Sequence, residues 1–201
     1  MKYDILIAGV GGQGTVLASR LLAMAAIEEG YFTRTAETIG MAQRGGSVVS
    51  HVRIGSRDSG AVIPFGQADL LIAFEPAEAA RNISRLALGG KCIVNNRIIK
   101  PVTASLGTAG YNEDEIFSFI KRVSPEAPFL DAYSAALRAG SVKALNVVML
   151  GAAAAEGLLP FEPGIVEETI AANVPEKYKS LNIKAFHEGL KHKDNRGDEI
   201  R

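Results

Sequence analysis

The chain has 201 residues, of which 47% are hydrophobic, and its 22 Lys and Arg residues balance 22 Asp and Glu residues. This composition excludes an intrinsically disordered chain, and the lack of a basic excess argues against a nucleic-acid-binding protein. No apolar run is long enough to span a bilayer, and the first residues enter an apolar segment without a signal peptide. We therefore expect a globular, cytoplasmic protein whose core needs no disulfide.

The first predicted unit is a strand, a glycine-rich turn and a helix. The apolar run from Ile5 to Ala8 is typical of a strand buried on both faces. Apolar residues after the turn recur near the 3.6-residue helical period until Gly30. Strand, tight turn and helix together predict the opening of a doubly wound α/β sheet, with a helix start that favours anions. The glycines of the turn are Gly9, Gly11 and Gly14, at Gly-x-Gly-x-x-Gly spacing.

The role of this turn is open. It could bind a dinucleotide, or its glycines could serve only to pack helix against strand or to face a partner. A dinucleotide fold also places an acid about 20 residues further on, at the end of the next strand. Glu37 lies in that range, but residues 34–38 make a poor strand end. We therefore favour a structural or partner-facing turn.

The rest of the chain predicts further strands and helices. Strands are expected over residues 31–35, 47–54, 69–74, 92–95 and 128–131. Helices are expected over residues 76–88, 112–125 and 141–157, and a final amphipathic helix is expected from Pro163 onwards. In the second of these strands, alternation predicts a wetter face that carries His51 and Arg53. The elements indicate one Rossmann-like α/β domain over residues 1–190, with a mostly parallel sheet, helices on both faces and a helical C-terminal segment, followed by a charged, flexible tail over 191–201.

Three predicted strands end in residues suited to ligand binding, namely Gly9-Val10-Gly11, Glu75 and Asn95-Asn96. The carboxyl ends of parallel strands share one edge, where open α/β folds collect ligands. By residue type, the candidate catalytic groups are Arg44, His51 and Glu75. None of them has a recognisable triad partner, and the chain has neither a nucleophile elbow nor a P-loop lysine.

The single cysteine, Cys92, predicts neither an internal disulfide nor a zinc site nor an iron–sulfur cluster. No other metal-binding pattern is present. The chain by itself therefore lacks the residue patterns that a chemically demanding reaction requires. Either it borrows a cofactor or it is one part of a larger enzyme.

Several motifs carry a resemblance to a known family, and the most specific is the Gly-Met-Ala-Gln-Arg-Gly-Gly run at residues 40–46. Together the motifs closely resemble the gamma-type subunits of 2-oxoacid:ferredoxin oxidoreductases over nearly the whole chain, and within that family the indolepyruvate type. The other motifs are Gly9-Val10-Gly11-Gly12-Gln13-Gly14, Glu37-Thr38, Val52-Arg53-Ile54-Gly55, Ala68-Asp69, Phe74-Glu75-Pro76 and Ile93-Val94-Asn95.

The resemblance implies the oxidative decarboxylation of an arylpyruvate by coenzyme A, which gives an aryl-acetyl-CoA, carbon dioxide and reduced ferredoxin. Such enzymes use thiamine diphosphate with magnesium, and iron–sulfur clusters. This chain lacks the Gly-Asp-Gly…Asn pattern for thiamine diphosphate and has one cysteine. We therefore expect no cofactor on this chain, these cofactors on a large (alpha) partner subunit, coenzyme A as co-substrate, and ferredoxin as a partner of the whole complex.

Under this resemblance, the carboxyl edge of the sheet is expected to face the partner subunit. Arg44 is the candidate catalytic residue, because its guanidinium could donate two hydrogen bonds to a phosphate or carboxylate of coenzyme A or substrate. A salt bridge inside the fold or interface is the alternative for Arg44. The candidate cofactor-binding residues are Gly11, Gly12, Gln13, Gly14, Gln43, Gly45, Gly46 and Glu75.

Three other interpretations stay open. The chain could be the gamma subunit of a pyruvate or 2-oxoglutarate enzyme, since the 2-oxoacid pocket would lie mostly on the partner. It could be a free-standing NAD(P)-binding oxidoreductase that uses the glycine turn and Glu37. It could also be a non-catalytic scaffold whose sheet edge docks a partner.

Overall fold

The computed structural model describes residues 1–40, 46–100 and 111–192. The strands in these ranges are β1 (Tyr3–Val10), β2 (Thr33–Ile39), β3 (Ser47–Ile54), β4 (Ala68–Ala73), β5 (Leu86–Asn95) and β6 (Phe129–Leu130). They form one sheet in the order β2-β3-β1-β4-β5-β6. Strands β1, β4, β5 and β6 are parallel, whereas β3 is antiparallel to both of its neighbours. The expected mostly parallel sheet is confirmed.

Helices cover both faces of this sheet. They are α1 (Thr15–Glu28), α2 (Pro76–Asn82), α3 (Glu113–Val123), α4 (Ala132–Ala139), α5 (Leu145–Ala155), α6 (Pro163–Asn173) and α7 (Glu176–Leu190). The larger core joins one face of the sheet to α1 and α4–α7, and the smaller core joins the other face to α2 and α3. The expected helical C-terminal segment is confirmed, while most of the expected tail, residues 193–201, lies outside the described ranges. No described helix is long and apolar enough to cross a membrane.

The predicted helix over residues 76–88 is wrong in its second half. Helix α2 ends at Asn82, and β5 already begins at Leu86. The pairing of β4 with β5 slips between Ala68 and Leu70, so β5 bulges at this point. The bulge requires the two glycines that follow the predicted helix, because Gly89 has a φ of 81° and a side chain on Gly90 would collide with β4.

Two other elements differ from the prediction, β2 in its boundaries and α4 in its presence. Strand β2 begins at Thr33 and continues to Ile39, further than the predicted end at Thr35. Helix α4 was not predicted, although Asp131 caps it by accepting a hydrogen bond from the Ser134 amide at 2.9 Å. An aspartate before an alanine-rich run is the signal that could have located this helix.

The predicted wetter face of β3 is wrong. His51 is 0% exposed and Arg53 is 3% exposed, because residues 55–67 fold over this face. Arg53 donates to both carboxylate oxygens of Asp4, at 3.0 and 2.7 Å, and to the Gly60 carbonyl at 3.0 Å. Nδ1 of His51 accepts the Ile63 amide at 3.1 Å. These two polar side chains therefore anchor the covering segment.

Helices α5 and α7 cross with their backbones in contact. A side chain on Gly151 of α5 would overlap the carbonyl oxygen of Phe186 in α7, and one on Gly189 of α7 would overlap the carbonyl oxygen of Val148. Only glycine leaves room for backbones this close. This crossing attaches the C-terminal helix to the buried, apolar α5.

Gly151→Ala is expected to destabilise the chain by about 2 kcal/mol or more, because the added methyl group forces the two helices apart. Urea unfolding of the purified chain measures this loss. The matched control is Gly164→Ala in α6, where an added Cβ meets no atom within 4 Å. Equal stability of the Gly151 variant and this control would contradict the described crossing.

His51 is expected to make stability depend on pH. Burial first, and then the charges of Arg85 and Arg53, lower its pKa to about 4. Between an unfolded-state value of about 6.5 and this folded value, only the unfolded chain binds the proton, so stability falls as the pH falls.

From pH 7.5 to 4.5 the contribution of His51 is expected to fall by about 2–3 kcal/mol. Urea unfolding at both pH values measures the change. In His51→Gln, which keeps a hydrogen-bond acceptor but does not titrate, the fall should be smaller by that amount. The same pH dependence in both proteins would show that His51 is not buried in its neutral form.

Candidate functional site

The glycine turn between β1 and α1 has the backbone geometry that its glycines permit. Gly12 has a φ of 98° and Gly14 a φ of 80°, both in the left-handed region that favours glycine. Gly14 is the N-cap of α1 and has no side chain that could accept a hydrogen bond from the first amides of the helix. The first turn of α1 also lacks an acidic residue, so its amides leave an uncompensated partial positive charge.

The side chain of Gln13 ties this turn to the end of β4. Its Oε1 accepts the Val10 amide at 2.8 Å, and its Nε2 donates to the Phe74 carbonyl at 2.9 Å. The same carbonyl accepts Nδ2 of Asn95 at 2.9 Å, and Oδ1 of Asn95 accepts the Ala132 amide at 3.1 Å. We call this group the Phe74 junction. It fixes the ends of three parallel strands and the start of α4 relative to one another.

Glu75 lies at the same edge but points inward. Its side chain is 1% exposed, and it caps α2 by accepting the Glu78 amide at 2.9 Å. Its other oxygen accepts the Ile99 amide at 3.3 Å and the Tyr111 hydroxyl at 3.2 Å. Burial raises the pKa of Glu75 above its ordinary value, although these donors oppose the shift. The ligand role predicted for Glu75 stays a prediction.

Of the glycine-rich run at residues 40–46 before β3, the structure describes only Gly40 and Gly46. Arg44, Gln43 and Gly45 lie outside the described residues, so their predicted roles stay predictions. Gly46 reaches the glycine turn, since its carbonyl accepts the Gly11 amide at 2.9 Å. The two glycine-rich segments of the sequence therefore meet at the carboxyl edge of the sheet.

A groove of about 380 Å³ opens beside the glycine turn. The described residues that line it include two cations, Arg97 and Lys143, and no carboxylate. The Arg97 guanidinium lies 3.4 Å from the centre of the Tyr133 ring, which holds it flat against the groove wall. Two cations lie beside the N-terminus of α1, whose partial positive charge is uncompensated. Anions are therefore favoured in this groove. Its lining residues are Gly12, Gln13, Arg97, Ile98, Ile99, Tyr133, Val142, Lys143 and Leu145.

The sequence analysis did not identify these two cations. Arg97 follows the end of β5 by two residues, and a basic residue just beyond a parallel strand is the signal that could have pointed to it. Lys143 precedes α5 and has no such signal, because only the fold brings it beside the turn.

Two other sequence candidates lie away from this groove. His51 is enclosed in the smaller core. Glu37 lies on β2, and the antiparallel strand β3 separates β2 from β1. In a dinucleotide fold the acid ends the strand that is the parallel neighbour of β1. Glu37 therefore does not have the placement that ribose binding requires.

Comparison with known proteins identifies a family. Residues 4–192 match the family described as pyruvate ferredoxin/flavodoxin oxidoreductase. The Pyrococcus horikoshii protein named indolepyruvate oxidoreductase subunit IorB is 42% identical over 192 residues, which cover 94% of this chain and 95% of that protein. A more distant relative is the pyruvate/ketoisovalerate oxidoreductases common subunit gamma of Thermococcus kodakarensis, 26% identical over 92% of this chain and 95% of that protein.

Solved structures share the fold. The gamma subunit of a keto/oxoacid ferredoxin oxidoreductase from Geobacter sulfurreducens matches with a TM-score of 0.67 at 26% identity, covering 94% of this chain and 97% of that one. The 2-oxoglutarate:ferredoxin oxidoreductase of Magnetococcus marinus matches with a TM-score of 0.68 at 20% identity, which shows the fold alone. That match covers 96% of this chain and 31% of the larger one. The same fold therefore also occurs as one part of a much longer polypeptide.

Proposed function

Because this chain belongs to the pyruvate ferredoxin/flavodoxin oxidoreductase family, we propose that it is the small subunit of an indolepyruvate-type ferredoxin oxidoreductase. The complex would convert an arylpyruvate, coenzyme A and two oxidised ferredoxins into aryl-acetyl-CoA, carbon dioxide, two reduced ferredoxins and a proton. The observation that carries this proposal is the 42% identity to an indolepyruvate oxidoreductase subunit over nearly the full length of both chains.

The redox cofactors of such a complex do not fit this chain. An iron–sulfur cluster needs several thiolate ligands, whereas the sequence has the single Cys92. Its thiol is buried in β5, and burial raises its pKa to about 12. The described residues also contain no group of three His, Cys, Asp or Glu side chains that could hold a metal ion. We propose that the clusters, thiamine diphosphate and magnesium lie on a large partner subunit.

The contribution of this chain would come from its carboxyl edge. The groove beside the glycine turn offers Arg97, Lys143 and the start of α1 to an anion. Coenzyme A carries phosphates and the arylpyruvate carries a carboxylate, so either would be stabilised there. We propose that the partner subunit covers this edge and that the groove holds the phosphates of coenzyme A, with Arg44 as a further donor.

Among the alternatives, a pyruvate or 2-oxoglutarate enzyme is less favoured because the gamma subunit relative is only 26% identical. A free-standing NAD(P) enzyme is disfavoured by the position of Glu37 on the outer strand β2.

Co-expression of the chain with its partner subunit, followed by ferredoxin-reduction assays, separates these functions. We expect kcat/KM for an arylpyruvate to exceed that for pyruvate and 2-oxoglutarate at least about tenfold. A preference for either small acid would contradict the proposal.

Arg97→Ala and Lys143→Ala are each expected to raise KM for coenzyme A about tenfold in the complex, because each removes one charge-assisted contact to a phosphate. The value of kcat should change little, since these residues would bind and not react. Arg122→Ala is the matched control, as its guanidinium lies over the Phe119 ring, away from the groove. Equal KM values for all three variants and the unmodified complex would remove the groove from the coenzyme A site.

Arg44→Ala tests the residue that the sequence singled out. We expect it to raise KM for coenzyme A or arylpyruvate without preventing assembly, because a permanent forked donor is lost. Steady-state kinetics with each substrate varied in turn measure the effect, and gel filtration checks assembly. Unchanged assembly together with unchanged kinetics would exclude Arg44 from the site.

A further inference from the structure

We propose that Glu75 is a positioning residue that holds the Arg97–Ile99 wall of the groove opposite the glycine turn. This inference rests on the proposed function of the groove. Glu75 itself is too deeply buried to touch a ligand in the groove, because only 1% of its surface is exposed. It would act through the Ile99 amide, to which it is hydrogen-bonded at 3.3 Å.

The carboxylate of Glu75 has a full set of protein donors. One oxygen accepts the Glu78 amide, and the other accepts the Ile99 amide and the Tyr111 hydroxyl. Burial, followed by the charge of Glu75, raises the pKa of Tyr111, so its hydroxyl keeps the proton that it donates. One buried side chain thus joins the start of α2 to two residues on either side of segment 100–110. Replacing the carboxylate by an amide would turn an NH2 group toward one of these donors, and removing the Tyr111 hydroxyl would leave one oxygen with the Ile99 amide alone.

We call the hydrogen bonds of Glu75 to Ile99 and Tyr111 the tether. Ile99 is the residue through which the tether reaches the groove. It lines a small cavity of about 160 Å³ together with Glu75, and it also lines the anion groove. The residues from Arg97 to Ile99 therefore separate the buried carboxylate from the groove. A shift of the Ile99 backbone would move Arg97, only two residues away, relative to Gly12 and Gln13.

The other contacts of this wall are nearer the surface. Arg97 stacks on Tyr133 at 3.4 Å, and the neighbouring Lys100 pairs with Glu113 at 2.9 Å, where both side chains are about half exposed. Exposed pairs of this kind contribute little to stability. Glu75 supplies the buried anchor of the wall, since its side chain is 1% exposed, whereas Ile99, to which it is bonded, is 37% exposed.

Glu78 extends the same network toward the glycine-rich loop. Its carboxylate accepts the Ser47 hydroxyl at 2.6 Å and pairs with Arg81. Ser47 follows Gly46, whose carbonyl accepts the Gly11 amide. The first turn of α2 therefore connects both rims of the groove, one through Glu75 and Ile99, the other through Glu78 and Ser47. This placement explains why two buried glutamates occur three residues apart at one helix start.

The tether can be tested on the full chain without any assay of activity. Tyr111→Phe removes one hydroxyl, and Glu75→Gln removes the charge while keeping a similar shape. Residue-resolved hydrogen exchange should show the Ile99 amide exchanging about tenfold faster in both variants, because the side-chain amide of Glu75→Gln is a poorer acceptor than a carboxylate and Tyr111→Phe removes a donor that holds the carboxylate in place. The matched control is Tyr3→Phe, which also loses one tyrosine hydrogen bond, to the Leu158 carbonyl at 2.8 Å, but at the opposite edge of the sheet. Unchanged Ile99 exchange in the Tyr111 variant would overturn the tether.

The positioning role is then tested in the complex with the partner subunit. Tyr111→Phe should raise KM for coenzyme A several-fold and leave kcat within about twofold, whereas Tyr3→Phe should change neither. Faster Ile99 exchange with an unchanged KM would overturn the positioning role while leaving the tether in place. If Arg97→Ala also leaves KM unchanged, the proposed function of the groove fails as well, and the two failures are thereby distinguished.

Discussion

The Phe74 carbonyl accepts the hydrogen bonds that hold the carboxyl edge of the sheet together. Hydrogen bonds between parallel strands end with the strands, and beyond them side chains add to the backbone bond from Gly11 to Gly46 in holding the turns. Gln13 and Asn95 approach the same carbonyl from two sides, each at 2.9 Å. Their remaining amide atoms accept backbone groups of Val10 and Ala132. The glycine turn, the ends of β4 and β5 and the start of α4 are therefore fixed as one unit, and such buried, satisfied networks make a rigid edge.

The local elements of this edge could be predicted from the sequence. A strand, a left-handed glycine turn and a helix succeed one another within some 25 residues, and each has a short-range signal in its residue types. The same holds for Pro76 at the first position of α2. The motifs of the oxidoreductase family are also local, which is why the family was identified from the sequence and then confirmed by the comparisons.

The features that the sequence predicted wrongly, or did not predict, depend on contacts between residues that are far apart in the sequence. His51 and Arg53 have the alternation of a half-exposed strand, and only the fold shows that residues 55–67 cover them. Gly89 and Gly90 follow a helix-like run, yet they form a bulge because β5 must pair with β4. Arg97 and Lys143 are far apart in sequence and belong to no motif. The groove between them arises because α4 and α5 fold back onto the strand ends.

The groove at the carboxyl edge is lined by two cations, Arg97 and Lys143, and the sequence has a single cysteine, whereas an iron–sulfur cluster needs several thiolate ligands. We propose that catalysis requires a second, larger subunit. The most direct measurement compares ferredoxin reduction by the purified chain, by the purified large subunit and by their mixture, with arylpyruvate and coenzyme A present. We expect no turnover by this chain alone and full turnover only in the mixture, with iron bound to the large subunit. Turnover of a 2-oxoacid by this chain alone would contradict this proposal.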